Sequence, residues 1–300
     1  MNANSRLRIG NLVIALLMAT LLLSACATLP ASTPTPEPTA TPEPTATPVK
    51  LSKRPELILA VNKPQSKTSS SGNVVYTLPE TDQVLLASEL TYYSDLKVDI
   101  YYPPNYHFET KLPIVILAHG FQELNEFDKD MPQHIDWAKL IAASGMIAVS
   151  AQAGMSPLPN SYHVLEFLAA NADVLGLDMA RIGFWACSGQ GGPVFKALED
   201  QELPYRASFR AAVFIYLTFS PVEPSNWPQQ LSLFIVKAGG DRRQTNALMD
   251  NMVTHFRSNK MSTEYIELAG APHGFDASQG TPDSKDVIQR ALEFFKSKLL

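Results

Sequence analysis

The sequence predicts an α/β fold with a mainly parallel central sheet and helices on both faces. Three observations predict it. Continuous apolar runs of strand length recur at 113–118, 181–187, 211–217 and 231–236, as expected of strands covered on both sides. Segments with helical apolar spacing lie between them, which is the alternation that forces right-handed parallel crossovers. Finally, a polar or glycine-rich cluster lies just past several expected strands: His119-Gly120, Ser188-Gly189, Gly239-Gly240-Asp241 and His273-Gly274. In such sheets ligands collect at the carboxyl ends of strands.

In chain order, 97–102 alternates and stops at Pro103-Pro104, predicting an early, half-exposed strand. The run 113–118 predicts a central strand. Residues 133–144 carry a helical stripe (Ile135, Ala138, Ile141, Ala142), with Gly145 suited to end it. A strand is expected at 146–149 and a helix at 161–173 with Val164, Leu165, Leu168 and Ala169 on one face. After the strands at 181–187, 211–217 and 231–236 come a helix at 245–256, a strand at 263–268 and a closing amphipathic helix through Val287, Ile288, Ala291, Leu292, Phe295 and Leu299.

The first 25 residues read as a signal peptide rather than as fold. Arg6 and Arg8 precede an apolar run of about a dozen residues, short of the roughly 20 that span a bilayer. Leu23-Ser24-Ala25-Cys26 closes the run and resembles the bacterial lipobox. That resemblance implies lipidation of Cys26 and an extracytoplasmic protein anchored to the bacterial membrane. The segment 26–72 reads as a linker: Thr35-Pro-Glu-Pro-Thr-Ala is repeated from Thr41, and seven prolines fall within 28–48, favouring polyproline II over helix or central strand. Residues 73–300 remain as one large α/β domain. Cys187 is the other cysteine, so a lipidated Cys26 leaves no disulfide to support the fold. The net charge of −5 becomes −7 once Arg6 and Arg8 are removed, which argues against nucleic acid as a partner.

The segment most informative about chemistry is Arg181-Ile-Gly-Phe-Trp-Ala-Cys-Ser-Gly-Gln-Gly-Gly192. An apolar strand running into a serine and then glycines is how a sharp strand-to-helix turn exposes a nucleophilic hydroxyl. Such a serine needs a base to take its proton, usually a neutral histidine oriented by a carboxylate. Asp241 and His273 follow in the order Ser…Asp…His, each just past an expected strand.

Leu117-Ala-His-Gly-Phe121, the 181–188 segment, Val236-Lys-Ala-Gly-Gly-Asp241 and Pro272-His-Gly-Phe275 together resemble α/β-hydrolases of the dienelactone-hydrolase and acetyl-esterase-like group. The segment 137–145 followed by Ile147-Ala-Val149 extends the likeness, which covers the chain from about residue 95 onward. It implies the α/β-hydrolase fold with Ser188 as nucleophile, His273 as base and Asp241 as orienting acid. The implied oxyanion donors are the backbone N–H groups of Phe121 and Gly189. His119 is expected to be a structural part of the oxyanion loop.

Two positions depart from that pattern. Gly-x-Ser-x-Gly would require glycines where Ala186 and Gln190 stand, leaving either a wider turn or a Gln190 side chain facing the pocket. Dienelactone hydrolases also use a cysteine at this turn, which makes Cys187 a rival nucleophile. It would put bulky Trp185 two residues upstream, where Ser188 puts Ala186. Asp276 is the rival acid.

The expected activity is hydrolysis of small-molecule or surface carboxylic esters through an acyl-enzyme. The alternative is a catalytically weak or inactive relative that binds ligands, for which Gln190 is the motive; a peptidase or acyl transferase would use the same groups. No motif calls for a metal, nucleotide or other cofactor. Residues 220–230 are expected to form at most a short cap. Tyr92, Tyr93, Tyr101, Tyr102, Phe121, Trp185 and Trp227 are candidates for aromatic surface near the site, with most of them expected to be core.

Overall fold

The computed structural model describes residues 47–65, 72–118, 129–152, 157–219 and 224–300, which belong to a compact unit running from Thr47 to Leu300. The expected signal peptide, Cys26, the proline repeats up to residue 46, and His119 and Phe121 lie outside the described residues.

Among the described residues the sheet has nine strands: β1 (Ile58–Leu59), β2 (Leu85–Tyr93), β3 (Leu96–Tyr102), β4 (Leu112–Leu117), β5 (Ile147–Ala151), β6 (Leu177–Cys187), β7 (Phe209–Ile215), β8 (Ser232–Ala238) and β9 (Thr263–Leu268). Their order is β1-β2-β3-β5-β4-β6-β7-β8-β9. The pairings from β5 through β9 are parallel, and β1, β2 and β3 add antiparallel strands at one edge. This is the mixed, mostly parallel sheet of the α/β-hydrolase fold.

Seven helices are described: α1 (Pro132–Ala143), α2 (Pro157–Ala170), α3 (Ala172–Leu175), α4 (Gly191–Glu199), α5 (Arg243–Ser258), α6 (Phe275–Ser278) and α7 (Pro282–Leu299). The period of two along each strand separates the apolar residues into two cores. Ile114, Ile116, Ile182, Phe184, Ala186, Phe214 and Ile235 pack with α2, α4 and α5. Val115, Leu117, Trp185, Cys187, Val213, Phe234 and Val236 pack with α1 and α7. Continuous apolar strands are the consequence of having both faces covered.

Three expectations are corrected. The strand over 97–102 is buried from Val98 onward rather than half-exposed, because β2 and β1 continue the sheet beyond it. Part of the segment read as linker is fold: β1 pairs with β2, Ala60 is buried, and the Leu51 N–H donates to Asn171 Oδ1 at 2.7 Å. Of the expected cap over 220–230, residues 220–223 lie outside the described residues, and residues 224–230 do not cap the carboxyl ends of the strands. With Gln201, Arg206 and Ala207, residues 225–230 line a cavity of about 700 Å³ beside the starts of β7 and β8, because a parallel crossover must carry the chain back to that end.

The N-terminal strap is fastened by charge. Lys63 reaches Asp99 at 2.7 Å and Asp130 at 2.6 Å, and Lys129 contacts Asp99, Asp130 and Glu89. Glu89, Asp99 and Asp130 lie close enough together to hold a cation, yet the two ammonium groups already occupy them. Residue Glu89 has φ +59° and sits at a bulge between Ala87 and Leu90.

Candidate active site

Strand β6 ends at Cys187 and passes through a 3-10 turn, Ser188–Gln190, directly into α4. Ser188 has φ +51°, a conformation that costs a non-glycine residue energy and that recurs at functional sites. Its carbonyl accepts from the Thr218 N–H at 3.0 Å, tying the bend to the chain leaving β7. Of the glycines after the serine, Gly191 is required by that neighbouring chain, whereas Gly192 meets it at ordinary contact distance. A Cβ on Gly191 would lie 2.9 Å from Leu217 Cδ1, and one on Gly192 3.5 Å from the Phe219 ring.

Asp241 follows β8 and His273 follows β9, so both reach the same rim. Their loops lie flush against each other: the Gly240 N–H donates to the Ala271 carbonyl at 2.8 Å, and a Cβ on Gly240 would stand 2.6 Å from the Gly270 oxygen. His273 Nδ1 is 2.6 Å from Asp241 Oδ2 and its Nε2 is 2.8 Å from Ser188 Oγ. A carboxylate only accepts, so Nδ1 carries the proton and Nε2 is left as the acceptor for the serine hydroxyl. The Asp241 side chain is 5% exposed and that of His273 is 38% exposed. The acid is shielded while the base meets the solvent. Asp241 Oδ1 also accepts from the Arg242 N–H at 2.6 Å.

Cys187 and Asp276 take no part in this chain of bonds. Cys187 is buried on the opposite face from Ala186, and burial with the nearby Asp276 pushes its thiol well above the usual range. Such a thiol is inert. Asp276 is fully buried and accepts from Tyr216 Oη at 2.5 Å, Gln133 Nε2 at 2.8 Å and Trp137 Nε1 at 2.8 Å.

Gln190 does not face the pocket. Only 2% exposed, it turns inward, where Oε1 accepts from the Cys187 N–H at 3.0 Å and Nε2 meets His134 Nε2 at 2.9 Å. The glutamine staples the turn from beneath. Gly189 occupies the turn's second position, at the N-terminal end of a helical segment where backbone N–H groups lack intrahelical acceptors.

Of the aromatics anticipated near the site, Tyr92, Tyr101, Tyr102, Trp185 and Trp227 are core. Two others border it instead. The Tyr216 ring lies 4.6 Å from the His273 ring, and Phe219, 45% exposed, lies over Gly189 and Gly192. Neither was signalled by local pattern, since both follow β7 and reach the site only through sheet order.

No protein-family model matches the chain, and no curated protein matches it. Solved structures do. An esterase from the fungus Rhizomucor miehei superposes with a TM-score of 0.60 at 14% identity, over 74% of this chain and 85% of the other. Bacterial heroin esterase gives 0.56 at 15% identity, over 75% and 87%. Brefeldin A esterase, a bacterial homologue of human hormone-sensitive lipase, gives 0.55 at 14%, over 75% and 82%. At these identities the likeness speaks to the fold. The chain has the α/β-hydrolase fold, and at the rim where its strands end it carries a hydrogen-bonded Ser188–His273–Asp241 arrangement that supports a serine-hydrolase mechanism.

Proposed function

We propose that this protein is a carboxylic-ester hydrolase acting through an acyl-enzyme on Ser188. The observation that carries the reading is the continuous hydrogen-bond chain from Ser188 Oγ through His273 to Asp241, set on a strained turn. His273 Nε2 takes the hydroxyl proton as Oγ bonds to the ester carbonyl carbon. The same proton passes to the departing alcohol oxygen as the C–O bond breaks. Water then repeats the sequence on the acyl-enzyme, releasing the acid and restoring Ser188. Asp241 holds the imidazole in the required tautomer and offsets the charge that develops on it. Gly189 N–H, with Phe121 N–H, is assigned to the oxyanion; one such donor is worth roughly 10²–10³ in rate. The burial of Gln190 supplies a structural use for the residue that had favoured a ligand-binding reading.

Within the same proposal, residues 1–25 direct export, lipidated Cys26 anchors the chain, and the proline repeats hold the domain off the membrane. The substrates are then small or surface-presented esters outside the cytoplasm. The nearer likeness to dienelactone hydrolases rests on sequence motifs alone.

The test treats the full-length protein with a fluorophosphonate and maps the adduct, with Ser188→Ala and Cys187→Ala in parallel. The expected adduct lies on Ser188, is abolished by Ser188→Ala and survives Cys187→Ala. A folded wild-type protein that neither reacts nor hydrolyses short esters overturns the reading in favour of a binding protein.

A further inference from the structure

We infer that Tyr216, locked in place by Asp276, is a positioning residue for His273. The inference rests on the hydrolase reading for its kinetic consequences, whereas the geometry behind it stands separately. Tyr216 is the first residue after β7 and adopts φ +38°, a left-handed conformation that is an outlier for a bulky aromatic. Its N–H donates to the Val236 carbonyl at 2.8 Å, so the unusual backbone is held by the neighbouring strand. Strain of this kind persists only where the surroundings over-determine it, and it clusters at functional sites.

The surroundings of the side chain are equally definite. Tyr216 is 2% exposed. Its hydroxyl donates to Asp276 Oδ1 at 2.5 Å and accepts from Gln133 Nε2 at 2.7 Å. Gln133 and Trp137 then satisfy Asp276 Oδ2, both at 2.8 Å. Asp276 stands three residues beyond His273, and its backbone carbonyl accepts from the Val75 N–H at 2.8 Å. The Tyr216 ring packs against His273 at 4.6 Å and 59°, with Phe275 at 5.5 Å on the same tyrosine.

These contacts close a loop from the His273 backbone to Asp276, from Asp276 to the tyrosine hydroxyl, and from the tyrosine ring back to the imidazole. Asp241 alone fixes one edge of the imidazole but leaves rotation about that bond. The tyrosine ring limits that rotation, keeping Nε2 on Ser188 Oγ. A fully buried carboxyl group given three donors is an expensive way to fill core space. It is explained if the tyrosine it locks must not move.

The experiment compares full-length wild type with Tyr216→Leu, Tyr216→Phe and Asp276→Asn, each checked for native near-ultraviolet circular dichroism. Three quantities are read: kcat and KM on a short ester, the rate of fluorophosphonate labelling, and the low-field proton resonance of His273 Nδ1–H. For Tyr216→Leu, kcat and labelling are expected to fall together by about 10–100-fold with KM within about twofold, the signature of a displaced reacting group. Its low-field proton is expected to broaden or vanish. Tyr216→Phe keeps the ring but frees it from Asp276, and Asp276→Asn weakens the same lock; both are expected to fall by a smaller factor and to retain the resonance.

A folded Tyr216→Leu with wild-type kcat and an unchanged resonance overturns the inference. Should Tyr216→Leu fail to fold, wild-type kcat in Tyr216→Phe overturns it instead. Should the wild type itself prove unreactive, the hydrolase reading fails, and the resonance decides the positioning role by itself.

Discussion

The Gln190 amide nitrogen lies 2.9 Å from His134 Nε2, and both side chains are buried beneath the nucleophile's turn. Since Gln190 Oε1 is committed to the Cys187 N–H, the amide presents only its NH₂ to the histidine. His134 Nε2 must therefore accept, which requires a neutral ring protonated at Nδ1. Burial enforces that state by pushing the His134 pKa down to about 4, with a hydrogen bond to the Ala118 backbone opposing the shift in part. The fold has made the shape of the nucleophile's turn depend on a histidine that stays uncharged.

Acid sensitivity follows from this. Unfolded His134 takes up a proton near its ordinary value of 6.5, whereas the folded protein resists until about 4. Between those values the unfolded state binds more protons, so stability falls as the pH falls, by on the order of 3 kcal/mol in all. Below the folded value this group contributes no further loss. His134→Gln keeps an acceptor for Gln190 but cannot titrate. Urea midpoints measured from about pH 7 to about pH 4 should therefore slope less steeply in the variant than in wild type. Equal slopes would assign the acid limb to other groups.

Gln190→Gly brings the turn closer to Gly-x-Ser-x-Gly, yet it should weaken this protein. It removes the acceptor of a buried N–H at Cys187 and the donor facing His134, and leaving such groups unpaired costs about 1–3 kcal/mol. It also adds backbone freedom to the unfolded chain. A lower denaturant midpoint with reduced Ser188 labelling is the expected result. A more stable and more reactive variant would show that the staple has no role.

How much of this was legible in the sequence divides along physical lines. Strands β4, β6, β7 and β8 were readable because burial on both faces demands unbroken apolar runs. Ser188, Asp241 and His273 were readable because each follows a strand and a parallel sheet delivers strand ends to one rim. Strand β2 was not, since Ser88, Glu89 and Thr91 interrupt its pattern at a bulge and long-range ion pairs supply what local pattern lacks. The bonds joining Gln133, Trp137, Tyr216 and Asp276 were equally hidden. Their partners lie 60 to 143 positions apart, and as isolated residues each reads as ordinary core or turn. Gln190 was visible as an anomaly in the motif, but its explanation lies in His134, which no spacing rule connects to it.

Phe219 supports a prediction about selectivity. Among the described residues it is one of six large apolar side chains left exposed, and the one lying over glycines of the nucleophile's turn. Residue Thr218 is bonded to the Ser188 carbonyl, so the aromatic wall is held in register with the reacting atom. An apolar acyl or aryl group on Ser188 would find this ring and cover part of it. Covering about half a phenylalanine side chain is worth roughly 1–1.5 kcal/mol. Phe219→Ala should thus raise KM for aryl or medium-chain esters by about tenfold while leaving kcat within about threefold. Acetate esters of a small alcohol, too short to reach the ring, should be nearly unaffected. If both substrate classes lose equally, Phe219 serves to hold the turn rather than the substrate. A variant that gains on polar esters as it loses on apolar ones would instead show that the wall selects against hydrophilic acyl groups.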